Sequence, residues 1–215
     1  MKVISVQDAV ALIPSGARLM VGGFMGVGTP ERLIDELVRQ GKRSLTVIAN
    51  DTAMPGRGIG KLVTAGLLDR VVVSHIGLNP ETQQQMIAGN LTVDLVPQGT
   101  LIERIRAGGF GLGGILTPTG VGTVVEKGKR KVEVDGKAYL IETAVRADFA
   151  LVQAFLADYT GNLTYALTAR NFNPIIAMAA DTVIVAAEHI VPVGVIAPDQ
   201  VATPSPLVDY LVSNE

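Results

Sequence analysis

Short apolar blocks and longer periodic ones follow each other along the chain. Arg18 to Val21, Leu45 to Ala49, Val71 to Ser74, Thr92 to Val96, Phe149 to Gln153 and Thr182 to Ala186 are runs of four or five residues. They have the length and near-continuous hydrophobicity of strands buried on both faces. Between them, apolar residues recur with helical period. Val3 to Ile13 is one such stretch, with Ser5 as its N-cap and Pro14-Ser15-Gly16 as its stop. Leu33, Ile34, Leu37 and Val38 form the next, with Thr29 as cap, Pro30 in the first turn and Gly41 at the end. Further helices are predicted near Ile59 to Ala65, from Asn79-Pro80-Glu81 to Gly89, from Leu101 to Ala107 and from Pro174 to Ala180, with a short one from Pro206 to Val212.

Strands alternating with helices predict an α/β fold: an open, mainly parallel, doubly wound sheet with helices on both faces. Lys131 to Val134 and Lys137 to Glu142 flank Asp135-Gly136 and read as a small antiparallel hairpin insert. Gly108 to Gly122 reads as an ordered glycine-rich loop system. The absence of repeats, low-complexity tracts and composition breaks predicts a single domain over 1–215.

Composition narrows the function classes. Hydrophobic residues make up 48% and charged residues 18%. Apolar surface is therefore plentiful and charge to cover it is thin, so part of that surface is expected against a partner. No apolar run reaches the roughly 18 residues of a membrane span, and the N-terminus lacks the pattern of a signal peptide. The expected location is the cytoplasm, without membrane attachment. Cysteine is absent, which removes disulfides and thiolate sites, and His75 and His189 are the two imidazoles. Both read as structural, and no metal site is expected. A formal net charge of −2 gives no footprint for nucleic acid. Lys127, Lys129, Arg130 and Lys131, flanked by Glu126 and Glu133, read as a solvated hairpin.

The strongest local signal is Gly22-Gly23-Phe24-Met25-Gly26-Val27-Gly28, between a strand and a helix. Glycines there allow positive φ and close approach of a ligand to backbone N–H groups, and the helix N-terminus favours phosphate. A tight strand-to-helix turn is the plainer alternative. The dinucleotide fingerprint fails at Thr29-Pro30-Glu31, and no P-loop lysine follows. Gly109-Phe110-Gly111-Leu112-Gly113-Gly114 has that spacing but follows a helix, so it reads as a close-packed turn. Gln98, in Pro97-Gln98-Gly99-Thr100, lies at the carboxyl end of a strand, the edge where open α/β sheets bind ligands. Its carboxamide can donate to an oxygen on which charge develops, or it can simply bond its own loop. Asn50, Asp51 and Asn79 also end strands, where turns and caps account for them. No Gly-x-Ser-x-Gly elbow occurs, and the glutamates fall on helix faces or the hairpin. A site without an evident attacking group results.

Several blocks in order resemble one family. Val21-Gly22-Gly23-Phe24-Met25-Gly26-Val27-Gly28-Thr29-Pro30 looks like the CoA-transferase signature. Val96 to Gly109, Thr117-Pro118-Thr119-Gly120-Val121-Gly122-Thr123, Arg146-Ala147-Asp148 and Gly161-Asn162-Leu163-Thr164-Tyr165 continue the match. The chain thus resembles, over nearly its whole length, the A (alpha) subunit of family I, 3-oxoacid-type CoA-transferases of the bacterial acetate and butyrate–acetoacetate group. It departs where that signature usually begins with an acidic or amide residue, since Ser15 stands there before Gly16.

The resemblance implies a ping-pong transfer of CoA between a short-chain acyl-CoA and a free carboxylate, with a glutamate nucleophile from the B subunit. It implies that Gly22 to Gly28 contact CoA and that Gln98 faces the reacting carbonyl. Coenzyme A would be a substrate, no cofactor would be tightly bound, and the partner would be a CoA-transferase B (beta) subunit in an A2B2 heterotetramer. Two other readings stand beside it: a stand-alone nucleotide or sugar-phosphate binding protein, and a non-catalytic scaffold for the B subunit.

Overall fold

The structure is a computed structural model that describes residues 1–213; the last two positions of the expected domain lie outside the described residues. In chain order the elements are β1 (Lys2–Ile4), α1 (Val6–Ala11), β2 (Arg18–Val21), α2 (Glu31–Arg39), β3 (Leu45–Ile48), α3 (Gly60–Thr64), β4 (Leu68–Val73), α4 (Pro80–Ile87), β5 (Thr92–Leu95) and α5 (Gln98–Gly109). They continue with β6 (Gly114–Thr117), β7 (Lys131–Val134), β8 (Lys137–Thr143), β9 (Ala147–Asp158), β10 (Leu163–Thr164), α6 (Asn173–Ile176), β11 (Ala180–Val191) and β12 (Tyr210–Val212).

Eight strands pair in parallel in the order β1-β12-β11-β9-β2-β3-β4-β5, and β10 adds antiparallel to β9. Side chains alternate across the sheet. Leu19, Val21, Val47 and Val71 meet Val10 of α1, Leu33 and Leu37 of α2 and Leu62 of α3 on one face. Met20, Ile48, Val152 and Val185 meet Leu101 and Ile105 of α5, Ile176 of α6 and Phe172 just before it on the other. Helices therefore cover both faces, and each fully buried Leu, Ile or Phe contributes about 1.5–3 kcal/mol. Among the described residues no helix is long and apolar enough to cross a membrane.

The structure corrects the expected elements where a distant partner decides between helix and strand. The helical stretch begins only after Ser5, whose hydroxyl caps it by accepting from Asp8 N at 3.0 Å. Lys2 to Ile4 instead pair with Tyr210 to Val212, so the expected tail helix is a single 3-10 turn, Ser205–Leu207, followed by β12. Gly114 to Thr117, read as loop, pair with Leu140 to Thr143 and give the hairpin a third strand. Its turn residues Asp135 and Gly136 have φ of 50° and 71°, as a two-residue hairpin turn requires. The basic cluster is not wholly solvated, because Lys129 pairs with the buried Glu142, while Lys131 reaches Glu126 at 2.7 Å.

Helix α5 starts at Gln98 rather than Leu101 and runs through Gly108 and Gly109. A Cβ on these glycines would lie 2.2 Å from Val145 O and 2.8 Å from Met178 Cβ. Both are close-packing positions inside the helix; the expected turn follows at Phe110 and Gly111, where Gly111 has φ of 73° but no atom within 4 Å of an added Cβ.

Strands β9 and β11 have twelve residues each, against four in β2 and β3. Val21, the last residue of β2, pairs with Leu151, and β9 continues to Asp158. The overhang ends on a carboxylate hub. Asp158, 1% exposed, accepts from Thr160 N (2.9 Å), Thr160 Oγ1 (2.7 Å), Gly161 N (2.9 Å), Asn162 N (3.0 Å) and Asn162 Nδ2 (2.8 Å). Burial pushes its pKa up, but the bonds from Thr160 and Asn162 outweigh it and hold the pKa below the ordinary value. A depressed folded-state pKa contributes stability that is complete above the unfolded value, near 3.9 for Asp, and is lost as pH falls through the folded value. Asp158→Asn is therefore expected to flatten the acid limb of stability against pH, measured by denaturant unfolding between about pH 2 and 6. An unchanged acid limb would contradict this role. The block Gly161 to Tyr165 is accounted for by this turn and by the buried Tyr165 hydroxyl on Thr203 Oγ1 at 2.6 Å.

Candidate functional site

Strands β3, β4 and β5 lie to one side of β2, and β9, β11 and β12 to the other, so the chain changes direction between β2 and β9. The carboxyl ends of strands at such a reversal form the crevice in which open α/β sheets bind ligands. The loop Gly22 to Gly28 leaves β2 at this place.

The loop is a self-supporting turn. Met25 and Gly26 have φ of 51° and 84°, and Phe24 and Val27 exchange N–H···O bonds of 2.9 Å in both directions. Gly22 N donates to Leu151 O at 3.0 Å, and Met25 N donates to Asp51 Oδ2 at 2.9 Å. Four of the N–H groups expected to meet a ligand are thus bonded within the protein. Three glycines serve close packing: a Cβ would lie 1.8 Å from Asn173 Oδ1 at Gly22, 2.1 Å from Thr29 Oγ1 at Gly23 and 2.4 Å from Ala169 Cβ at Gly28. Gly26 has ordinary space around it, with Arg57 Nε at 3.5 Å. At the tip, the side chains of Phe24 and Val27 are exposed.

Thr29 is buried and does not cap α2, which starts at Glu31 after Pro30. Glu31 itself occupies the helix N-terminus, accepting from Gly58 N at 2.9 Å and pairing with Lys61 at 2.6 Å. Burial lowers the Lys61 pKa, but its bonds to Asp35 and Glu31 more than offset this and raise it above the ordinary value. A cleft of about 620 Å³ opens beside Gly28, Thr29, Glu31 and Arg32, with Gln153, Ala186, Ala187 and Glu188 across it. Two carboxylates face one guanidinium there, so the cleft carries no cationic excess for a phosphate.

On the opposite side of the loop stands Gln98, the first residue of α5, exposed to solvent. Its Nε2 donates to Asn50 Oδ1, and Asn50 Nδ2 donates to Gly23 O at 2.6 Å. Asn50, 1% exposed, therefore joins Gln98 to the glycine loop. Asp51 is 7% exposed and spends both oxygens on backbone N–H groups, Met25 N at 2.9 Å and Ala53 N at 2.7 Å. Asn79 caps α4, accepting from Thr82 N at 3.1 Å and donating to Thr52 O at 2.9 Å.

Asn173 escaped the sequence reading. Fully buried, it accepts from Gln153 N at 3.0 Å and donates to Gly28 O at 2.9 Å and Ala169 O at 3.0 Å. Its side chain fills the space left by Gly22. Nothing in the local sequence signals this, because the two meet only after β9 and α6 close over the loop. His189 stacks edge-on against Phe155, with centroids 5.5 Å apart. Arg146 and Asp148 are structural: Arg146 bonds Asp181 and Gly108 O, and Asp148 accepts from Arg18 N.

Comparison with known proteins places this arrangement in one family. The coenzyme A transferase family model matches residues 3–214. The chain is 53% identical to the acetate CoA-transferase subunit alpha of Escherichia coli K12, covering 100% of this chain and 97% of that one. It is 46% identical to the alpha subunit of the acetoacetyl-CoA:acetate/butyrate CoA transferase of Clostridium acetobutylicum, covering 98% and 97%. Among solved structures, an acyl-CoA transferase from E. coli O157:H7, crystallised as a thioester complex with CoA, superposes with a TM-score of 0.87 at 27% identity. The match covers 99% of this chain but only 47% of that longer polypeptide. The chain belongs to the coenzyme A transferase family.

Proposed function

We propose that the chain is the A subunit of a heteromeric CoA-transferase that moves CoA between a short-chain acyl-CoA and a free carboxylate such as acetate, acetoacetate or butyrate. The observation that carries this is the pairing of Gln98 with the glycine loop through Asn50 at the reversal of the sheet. The site offers an oriented amide, while its neighbouring carboxylate, Asp51, is buried and already bonded on both oxygens. An attacking carboxylate supplied by a second subunit completes it. The alpha-subunit relatives, and the solved acyl-CoA transferase in which an equivalent of this chain occupies 47% of one polypeptide, support that division.

In this reading a glutamate of the B subunit attacks the thioester carbonyl and expels CoA thiolate, leaving a mixed anhydride. The thiolate then attacks the glutamyl carbonyl, forming a glutamyl-CoA thioester and releasing the first carboxylate. The acceptor carboxylate repeats the two steps in reverse and leaves as the new acyl-CoA. Oxygen bears negative charge in each tetrahedral transition state, and the second Gln98 N–H is available to it. The turn Gly22 to Gly28 contacts CoA, which enters as substrate; Phe24 and Val27 supply apolar contact, and Gly26 admits the ligand to the backbone. The working enzyme is a cytoplasmic A2B2 assembly. Incubating the assembled enzyme with acyl-CoA and mapping the covalent CoA adduct by mass spectrometry tests this. The adduct is expected on a glutamate of the B subunit, and an adduct on this chain would overturn the division of roles.

A further inference from the structure

We propose that Asn50 is a positioning residue that sets which way the Gln98 carboxamide faces, an inference that rests on the catalytic role given to Gln98 above. A primary amide on an exposed side chain has two nearly equivalent orientations related by a half-turn. One presents an N–H to the reacting oxygen. The other presents a carbonyl lone pair, which repels the developing charge.

The polarity of one backbone carbonyl removes this freedom. Gly23 O can only accept, and the Asn50 amide nitrogen lies 2.6 Å from it, with Asn171 Oδ1 at 3.4 Å on the same nitrogen. Asn50 Oδ1 must therefore face the other way, toward Gln98. An oxygen there accepts only, so Gln98 must present its nitrogen, as it does. The base of Asn50 is also held: its carbonyl accepts from Ser74 N at 2.9 Å and Ser74 Oγ at 2.7 Å, tying the end of β3 to β4. Carbonyl, buried amide and exposed amide form a directional relay, with burial of Asn50 excluding the water that would permit a flip.

A double-mutant cycle on the enzyme assembled with its B subunit tests the relay. Asn50→Ala is expected to lower kcat about tenfold or more with KM for acyl-CoA changed less than about twofold, the pattern of an interaction made in the transition state. In the Gln98→Ala background the same change is expected to have almost no further effect on kcat, because what Asn50 orients is gone. Fold-changes that multiply, or an assembled Asn50→Ala enzyme with unchanged kcat while Gln98→Ala is impaired, would overturn the inference alone. An unimpaired Gln98→Ala enzyme would overturn the role of Gln98 and the relay with it, and no transfer by the wild-type assembly would overturn the function itself. If Asn50→Ala does not assemble, Asn50→Ser keeps a hydroxyl for the Gly23 carbonyl and is read through the same cycle.

Discussion

Replacing Gln98 by alanine is expected to lower kcat of the assembled enzyme by about 10²–10³, the cost of removing one donor aimed at a developing oxyanion. The side chain is exposed and stands at the first position of α5, where the backbone N–H needs no helical partner. Its removal also leaves the buried Asn50 Oδ1 without its donor, a stability cost of about 1–3 kcal/mol that is small beside the loss of turnover. Gln98→Glu is expected to be at least as damaging. It replaces the donor by an acceptor, so that oxygen faces Asn50 Oδ1 on one side and the reacting oxygen on the other. Steady-state kinetics with butyryl-CoA and acetate read the effect. A Gln98→Ala enzyme within about twofold of wild type would remove this residue from the chemistry.

Gly22→Ala is expected to have the largest effect on stability. The added Cβ would stand 1.8 Å from Asn173 Oδ1, and Asn173 cannot withdraw without giving up its bonds to Gln153 N, Gly28 O and Ala169 O. Overpacking costs about 1–3 kcal/mol and each lost buried hydrogen bond about 1 kcal/mol or more. A total of about 3–5 kcal/mol is a large share of the stability of a typical domain. It should lower Tm by roughly 10 °C in a chain of this size. Gly26 is the contrasting position. Its Cβ would make only ordinary contact with the Arg57 side chain, so Gly26→Ala should cost only the left-handed backbone, about 1–2 kcal/mol. The bulkier Gly26→Val is expected to weaken CoA affinity at the loop tip. Equal Tm losses for the two alanine variants would contradict the packing account of Gly22.

The parallel strands were legible because buried strands need continuous apolar runs, and those runs stand in the sequence from Arg18 to Ala186. The two ends were not. Val3-Ile4 and Tyr210-Leu211-Val212 are too short for periodicity to separate helix from strand, and each acquires its conformation from the other. The glycine loop was visible as a strand-to-helix turn, but its glycines at 22, 23 and 28 answer to Asn173, Thr29 and Ala169. Two of these three partners lie more than 140 residues away in sequence. Asn50 looked like a local turn former because Asn usually is one in that position. Only the folded sheet brings its amide between Gly23 and Gln98.

The most direct test of the divided site is exchange of CoA between acetoacetyl-CoA or butyryl-CoA and acetate, measured with this chain alone and then co-expressed with its B subunit. The expected result is no transfer by the isolated chain and transfer by the assembled pair. Transfer by the isolated chain, or none by a verified pair across several short carboxylates, would contradict it, and the second result would favour a stand-alone nucleotide or sugar-phosphate binding protein.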